Sequence, residues 1–170
     1  IFSTAAIILS PLGETIVAAH QIAMSVTSQL FMIPMSLAIA LTIRVGTYYG
    51  EKNWEAMRKV QKLGLATGTV LALMTMLLIA LFRPEIVAIY TSDHEVSEVA
   101  MYLLLFALAY QLMDAWQISA AGCLRGMQDT KGPMWITMVA YWIVAFPVSI
   151  YLARYTNIGA AGVWIGLIVG

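Results

Sequence analysis

The chain has 170 residues and a formal net charge of zero; 61% of its residues are hydrophobic and only 11% are charged. An ordinary soluble domain carries about 25% charged residues, so the composition argues against a soluble domain and indicates a polytopic membrane protein. The neutral balance gives no basic character that would indicate nucleic acid as a partner, and the single cysteine, Cys123, excludes an internal disulfide and a cysteine-based zinc site.

Apolar segments separated by polar connections follow one another along the chain. We predict the end of one helix at 1–10 and the start of a last helix at 159–170. Between them, four membrane spans are predicted at about 16–43, 63–82, 99–124 and 133–153, since a helix needs roughly 20 apolar residues to cross a bilayer. Both ends of the chain lie within apolar segments, so we expect the chain to be part of a larger protein.

Two of the predicted spans contain a proline, Pro34 in the first and Pro147 in the last. Proline removes a backbone donor, which predicts a kink at each position. These kinks could be hinges that bend during transport or fixed bends that serve packing, and the sequence supports both interpretations equally. The second span begins with Gly64 and Gly68, whose G-x-x-x-G spacing predicts the close approach of another backbone.

The basic residues lie mostly in two connections, 44–62 and 125–132, which are separated by two spans and therefore face the same side of the membrane. The opposite connections hold only Arg83 and Arg154. By the positive-inside rule, 44–62 and 125–132 are predicted to be cytoplasmic. The basic residues of these two connections are Arg44, Lys52, Arg58, Lys59, Lys62, Arg125 and Lys131.

Asp114 is an acidic residue inside a predicted span, with Gln111 and Gln117 three residues away on either side. An acid at the centre of a membrane helix costs roughly 2.5–3.5 kcal/mol, and such residues usually handle ions or protons. A carboxylate beside amide oxygens could receive a sodium ion or a proton. The alternative is a structural acid that hydrogen-bonds to another helix.

Other polar and aromatic residues in the spans are candidates for the wall of a cavity. Tyr110 and Trp116 lie within one or two turns of Asp114, and His20 and Gln21 lie near the external end of their helix. His20 and Gln21 could instead form a polar cap at the membrane interface. Aromatic residues such as Tyr141 offer surface to aromatic or cationic ligands, although most such residues in a membrane protein contact lipid or fill the core. Phosphate-binding loops, paired nucleophiles and metal-ligand clusters are absent from the sequence, so it does not support an enzyme.

Five segments of the chain are distinctive: AAHQIA (18–23), FMIPMSLAIALTIRVG (31–46), YQLMDAWQ (110–117), AAGCLRGMQDT (120–130) and YWIVAFP (141–147). Through them the sequence resembles the carboxy-terminal half of the multidrug and toxic compound extrusion (MATE) transporters, in particular the bacterial NorM-like branch. The resemblance runs in order over essentially the whole chain.

The resemblance implies an all-α polytopic bundle, about one six-helix lobe of a twelve-helix transporter of the bacterial inner membrane. The amino-terminal lobe of the same protein and the lipid bilayer would be its partners. Such transporters export cationic, often aromatic compounds in exchange for sodium ions or protons, which are the only cofactors implied. By resemblance, Asp114 matches the acidic residue of the tenth helix that couples to the cation, and the cycle is one of alternating access.

Two other functions fit a bundle of this kind. A lipid-linked oligosaccharide flippase of related fold should carry cationic side chains in its spans to meet an anionic head group, and the four complete spans contain none. A structural membrane subunit without transport predicts that neutralising Asp114 changes stability or assembly and leaves flux unchanged.

Overall fold

The computed structural model describes residues 13–155 and 160–169, and these form helices joined by short turns. The segment predicted at 1–10 lies outside the described residues. In chain order the helices are α1 (Glu14–Leu30), α2 (Met32–Gly50), α3 (Trp54–Tyr90), α4 (His94–Gly126), α5 (Lys131–Val139), a π-helical segment (Ala140–Ala145), α6 (Phe146–Tyr155) and α7 (Ala160–Val169).

A break at Phe31 separates α1 from α2, one turn before Pro34. Pro34 has no N–H group to bond the carbonyl of Leu30, so the regular helical ladder is interrupted there. The Phe31 nitrogen still donates to the Thr27 oxygen at 2.9 Å, and the Met35 nitrogen donates to the Phe31 oxygen at 3.1 Å. The two helices therefore form one bent stretch of 37 residues that is long and apolar enough to cross a membrane.

The connections are shorter than the polar segments of the sequence suggest. The predicted spans 63–82 and 99–124 lie within longer helices, because α3 continues through Pro84 to Tyr90 and only 91–93 is non-helical before α4. The helix accommodates Pro84 through a non-helical backbone at Phe82, with φ −107° and ψ 21°. Likewise, most of 44–62 is helical, and only 51–53 separates α2 from α3. Charged turns of helix thus extend beyond the apolar spans.

The last span is irregular near its proline. Six residues, Ala140–Ala145, form a π-helical segment directly before α6, in which Pro147 is the second residue. Wider π turns of this kind occur where the regular ladder cannot be continued, and they are frequent at functional sites. The span therefore changes its geometry over the turn that precedes Pro147.

Helix α4 lies at the centre of the bundle, in contact with α1, α2, α3 and α7. Its carboxy-terminal half packs closely on α2: a Cβ atom added to Gly122 would lie 2.6 Å from the Ala38 carbonyl oxygen, and one added to Gly126 would lie 2.7 Å from the Thr42 oxygen. Thr42 also donates a hydrogen bond to the Gly122 oxygen at 3.0 Å. Glycine permits this approach of two helix backbones.

The remaining surface is largely apolar. Exposed leucine, isoleucine, methionine and aromatic side chains cover the outer faces of α2, α3 and α5. In a bilayer such faces contact lipid tails, whereas water-exposed helices show polar outer faces. Four helical stretches of the described chain are long and apolar enough to span a membrane: Glu14–Gly50, Trp54–Tyr90, His94–Gly126 and Lys131–Ala153.

Candidate cation and substrate site

Asp114 lies buried in the middle of α4, with 6% of its surface exposed. Its Oδ1 atom accepts a hydrogen bond from the Tyr110 hydroxyl at 3.4 Å. Its Oδ2 atom is buried and has no hydrogen-bond partner among the described residues. A buried carboxylate oxygen without a partner is costly, and a bound cation or proton would remove that cost.

Asp114 borders a cleft of about 660 Å³ between α4 and the helical stretch that follows it. This volume lies within the range typical of small-molecule sites, about 300–1,000 Å³. Gln117 and Tyr141 line the same cleft, and the Tyr141 hydroxyl donates to Gln117 Oε1 at 3.3 Å. Methionine and aromatic side chains complete much of the wall: Phe31, Met134, Met138 and Trp142.

Helical geometry explains why Tyr110 and Gln117 join Asp114 on one side. At about 100° per residue, Tyr110 and Gln117 lie on the same flank of α4, roughly 40° and 60° from Asp114. The Tyr110 and Tyr141 side chains also interact. The four residues therefore group carboxylate, hydroxyl and amide oxygens, and oxygen atoms are the ligands that hard cations prefer. Asp114, Gln117 and Tyr141 line the cleft, whereas Tyr110 is buried and does not.

Gln111 and Trp116 do not line this cleft. Gln111 lies on the other flank of Asp114, is 2% exposed, and its Oε1 atom has no hydrogen-bond partner among the described residues. Trp116 lies about 160° around α4 from Asp114, and its Nε1 atom donates to Thr69 Oγ1 of α3 at 2.8 Å. The predicted residues around Asp114 are thus divided among three faces of one helix.

His20 and Gln21 also lie apart from the cleft. Gln21 is exposed, whereas His20 is fully buried and meets the Trp164 ring edge-on, with ring centroids 5.8 Å apart. Trp164 in turn meets the Tyr110 ring at 6.1 Å. His20 is therefore buried within the bundle and is not a polar cap exposed at the membrane interface. It contacts Trp164, which contacts Tyr110, and Tyr110 donates a hydrogen bond to Asp114.

The two prolines sit differently relative to the site. Pro34 is buried, and the break that precedes it places Phe31 on the cleft wall. Pro147 is exposed and follows the π-helical segment that carries Tyr141 and Trp142. Each proline thus lies next to a backbone irregularity that contributes side chains to the cleft.

The sequence pattern did not single out the Tyr141 hydroxyl or the close backbone contact between α2 and α4. Tyr141 belongs to a class of aromatic residues that usually face lipid, and only the fold brings its hydroxyl to Gln117. The Gly122 and Gly126 pair has the G-x-x-x-G spacing that would have predicted the close α2–α4 contact. In the described part of the chain, groups of three histidine, cysteine, aspartate or glutamate residues that could hold a metal ion were not found.

The MatE family model matches residues 1–151. The chain belongs to the MatE family. It is 76% identical over 170 residues to the probable multidrug resistance protein NorM of Acinetobacter baylyi and 42% identical over 174 residues to the multidrug resistance protein MdtK of Proteus mirabilis. Each match covers the whole chain and 38% of the relative, so this MatE chain spans little more than a third of those proteins.

Solved structures show the same fold. A crystal structure of the eukaryotic MATE transporter AtDTX14 matches with a TM-score of 0.92 at 22% identity, and an outward-facing multidrug resistance MATE transporter matches with 0.88 at 20%. Both matches cover 99% of the MatE chain and less than two fifths of the solved chain. The predicted family and the predicted all-α membrane fold are confirmed.

Proposed function

We propose that this MatE chain is the carboxy-terminal lobe of a transporter that exports cationic, often aromatic compounds in exchange for sodium ions or protons. The observation that carries the proposal is the buried Asp114 carboxylate at the wall of the cleft, with one oxygen that lacks a hydrogen-bond partner among the described residues. Intramembrane acids of this kind usually bind ions or substrates.

Exchange follows if the carboxylate serves the drug and the coupling cation in turn. A cationic compound in the cleft gains the negative charge of Asp114 and the aromatic surface of Phe31 and Trp142. A sodium ion or proton on Asp114 neutralises that charge, so the drug loses its counter-ion and its affinity falls. Gln117 and Tyr141 offer further oxygen atoms to a sodium ion. Alternating access needs only that the two occupants favour different conformations.

We expect such a change of conformation to bend the helices near the two prolines. Pro34 and Pro147 each adjoin an irregular turn that lines the cleft, so bending there would move Phe31 or Tyr141 relative to Asp114. In this proposal both prolines mark hinges, where a few residues absorb the large changes in backbone dihedral angles that closure requires.

The orientation of the lobe follows from its charged turns. Successive long helices joined by short turns run antiparallel, so the turns at 51–53 and 127–130 lie at the same end of the bundle. The two connections rich in basic residues, 44–62 and 125–132, meet at this end. We propose that it faces the cytoplasm of a bacterium, with the spans in the inner membrane.

The test uses the full-length transporter, reconstituted in vesicles, with a fluorescent cationic dye. Asp114→Asn should abolish dye movement driven by the coupling gradient, because asparagine cannot bind a proton or provide a negative charge. Comparison of a sodium gradient with a proton gradient in the wild type identifies the coupling ion. Asp114→Glu, which keeps the charge, should retain partial flux.

A thermal unfolding measurement on each variant accompanies the flux assay. If Asp114→Asn folds normally and transports at the wild-type rate under both gradients, the acid serves packing and the proposal is wrong. The exposed Glu98, which lies far from the cleft on the same helix, supplies the matched control Glu98→Gln and should transport normally.

A further inference from the structure

The first turns of α3 carry three cations on an exposed surface. Arg58, Lys59 and Lys62, together with Trp54 and Glu55, line a shallow depression of about 540 Å³. All five side chains are exposed. Within the described residues, none of the three cations lies in an ion pair. Glu55 precedes Arg58 and Lys59 by three and four residues, but it pairs with neither. The depression therefore has a net positive charge with no partner from the described chain.

The same face of α3 becomes apolar directly after the cations. Residues spaced three or four apart lie on one face of a helix, and the series that continues from Lys59 is Leu63, Ala66, Val70, Leu73 and Leu77. Each of these side chains is exposed. A positively charged patch is thus continuous with an apolar strip more than three helical turns long.

Aromatic rings lie just before the cations, at the end of α3 that is away from the apolar strip. The Trp54 ring meets Tyr49 of α2 edge-on, with centroids 5.6 Å apart. Tryptophan and tyrosine prefer the level of the lipid head groups. This pair places Arg58, Lys59 and Lys62 within about two turns of that level, and the apolar strip below them at the depth of the acyl chains.

We propose that this face of α3 binds an anionic phospholipid of the surrounding bilayer. The guanidinium of Arg58 and the ammonium groups of Lys59 and Lys62 hold the phosphate, since arginine forms paired hydrogen bonds with phosphate oxygens and lysine acts as a point charge. An acyl chain lies along the strip from Leu63 to Leu77. The site is separate from the Asp114 cleft and does not depend on the transported compound.

The experiment measures lipid binding to the full-length transporter, purified in detergent and freed of lipid. Phosphatidylglycerol is titrated and the bound lipid is counted by native mass spectrometry, with phosphatidylcholine of the same acyl chains as the neutral comparison. The wild type should bind phosphatidylglycerol preferentially, and added salt should weaken that binding. Each basic residue near a membrane surface contributes about fivefold, so the triple variant Arg58→Gln, Lys59→Gln, Lys62→Gln should bind about a hundredfold more weakly.

The matched control removes three charges from the same end of the bundle at positions that do not line the depression: Arg44→Gln, Lys52→Gln, Lys131→Gln. It should bind phosphatidylglycerol as the wild type does. Equal binding of both lipids, equal loss in the two triple variants, or no lipid bound because another part of the protein covers the face would each overturn the proposal. Competition by free glycerol phosphate would show a site for a soluble phosphate and would also overturn it. The single variant Lys59→Gln, expected to lose about fivefold, provides the same test if the triple variant unfolds.

Discussion

Helix α2 meets glycine pairs of identical spacing on two sides, and the two contacts differ in kind. On α4, Gly122 and Gly126 lie against backbone atoms of α2, at Ala38 and Thr42. On α3, Gly64 lies against the Leu41 side chain of α2, and Gly68 lies against the side chains of Ser119 on α4 and Leu37 on α2. The first contact joins two backbones that cannot yield, whereas the second is filled by leucine side chains that can change rotamer. The same motif thus specifies a fixed contact in one place and an adaptable one in the other.

This contrast bears on the candidate site. Asp114 lies on α4 two turns before Gly122, so the close contact with α2 holds the part of the helix that presents the carboxylate. The opposite wall of the cleft belongs to the irregular stretch with the π-helical segment. We therefore expect movement in the cleft to occur at that wall, with α2 and α4 moving as a unit.

The largest effect is expected at Gly122. Gly122→Val places a branched side chain where a single Cβ atom would already lie 2.6 Å from the Ala38 oxygen, so the two backbones must separate. Overpacking typically costs about 1–3 kcal/mol, and we expect the upper end, seen as a large fall in the melting temperature of the full-length protein. Gly50→Ala, at a position with open space around the glycine, is the control and should melt as the wild type does. A Gly122→Val protein that is equally stable would contradict the fixed contact.

A smaller loss of stability, coupled to the Leu41 side chain, is expected from a substitution at Gly64. Gly64→Ala collides with the Leu41 side chain, which can move, so we expect a loss of about 1–2 kcal/mol. Leu41→Ala alone should cost about 2–5 kcal/mol. The double variant should lose less than the sum of the two single losses, because the added methyl occupies part of the space that the leucine leaves. A double-mutant cycle on unfolding free energies measures this coupling. Strict additivity of the two changes would show that Leu41 does not fill the contact.

The hydroxyl that crosses the α2–α4 contact should contribute still less. Thr42→Val keeps the shape of the side chain and removes the hydrogen bond to the Gly122 oxygen at 3.0 Å. Hydrogen bonds between membrane helices average about 0.6 kcal/mol, and we expect a loss of that size. Ser36→Ala, whose exposed hydroxyl bonds only within its own helix, is the control for the general effect of losing a hydroxyl. A loss at Thr42 no larger than that at Ser36 would show that glycine packing alone maintains the contact.

The smallest effect is expected at Trp116, on the α3 side of α4. Trp116→Phe removes the hydrogen bond from Nε1 to Thr69 Oγ1 and should cost about 0.5 kcal/mol or less, with dye flux unchanged because Trp116 faces away from the cleft. Tyr141→Phe removes a comparable hydrogen bond, to Gln117, but within the cleft. It should lower flux several-fold while leaving stability similar. Equal flux in the two variants would argue against the cleft as the transport site.

The sequence alone was sufficient for the family and for the membrane character of the helices, and it singled out Asp114 as a candidate. The membrane character and the cost of an acid inside a span depend on the transfer free energy of each side chain, which is local and adds along the chain. It was less informative about where the helices end. Polar residues at the membrane surface extend a helix as readily as they end it, and α3 therefore continues from Trp54 through Pro84 to Tyr90.

Helical periodicity alone predicts part of how the residues near Asp114 are distributed around α4. At about 100° per residue, Trp116 must lie nearly opposite Asp114, and Gln111 and Gln117 must lie on opposite flanks. Periodicity does not say which flank faces another helix and which faces the cleft, because that depends on the rotation of α4 within the bundle.

Which neighbours these residues meet depends on the tertiary structure. Tyr141 reaches Gln117 across the cleft, Trp116 reaches Thr69, and His20 is buried against Trp164. Each of these contacts joins helices that are distant in sequence, and packing of side chains between helices determines it. Local propensity and hydropathy placed the helices in the membrane, whereas the close α2–α4 contact and the irregular stretch before Pro147 determined which side of Asp114 borders the cleft.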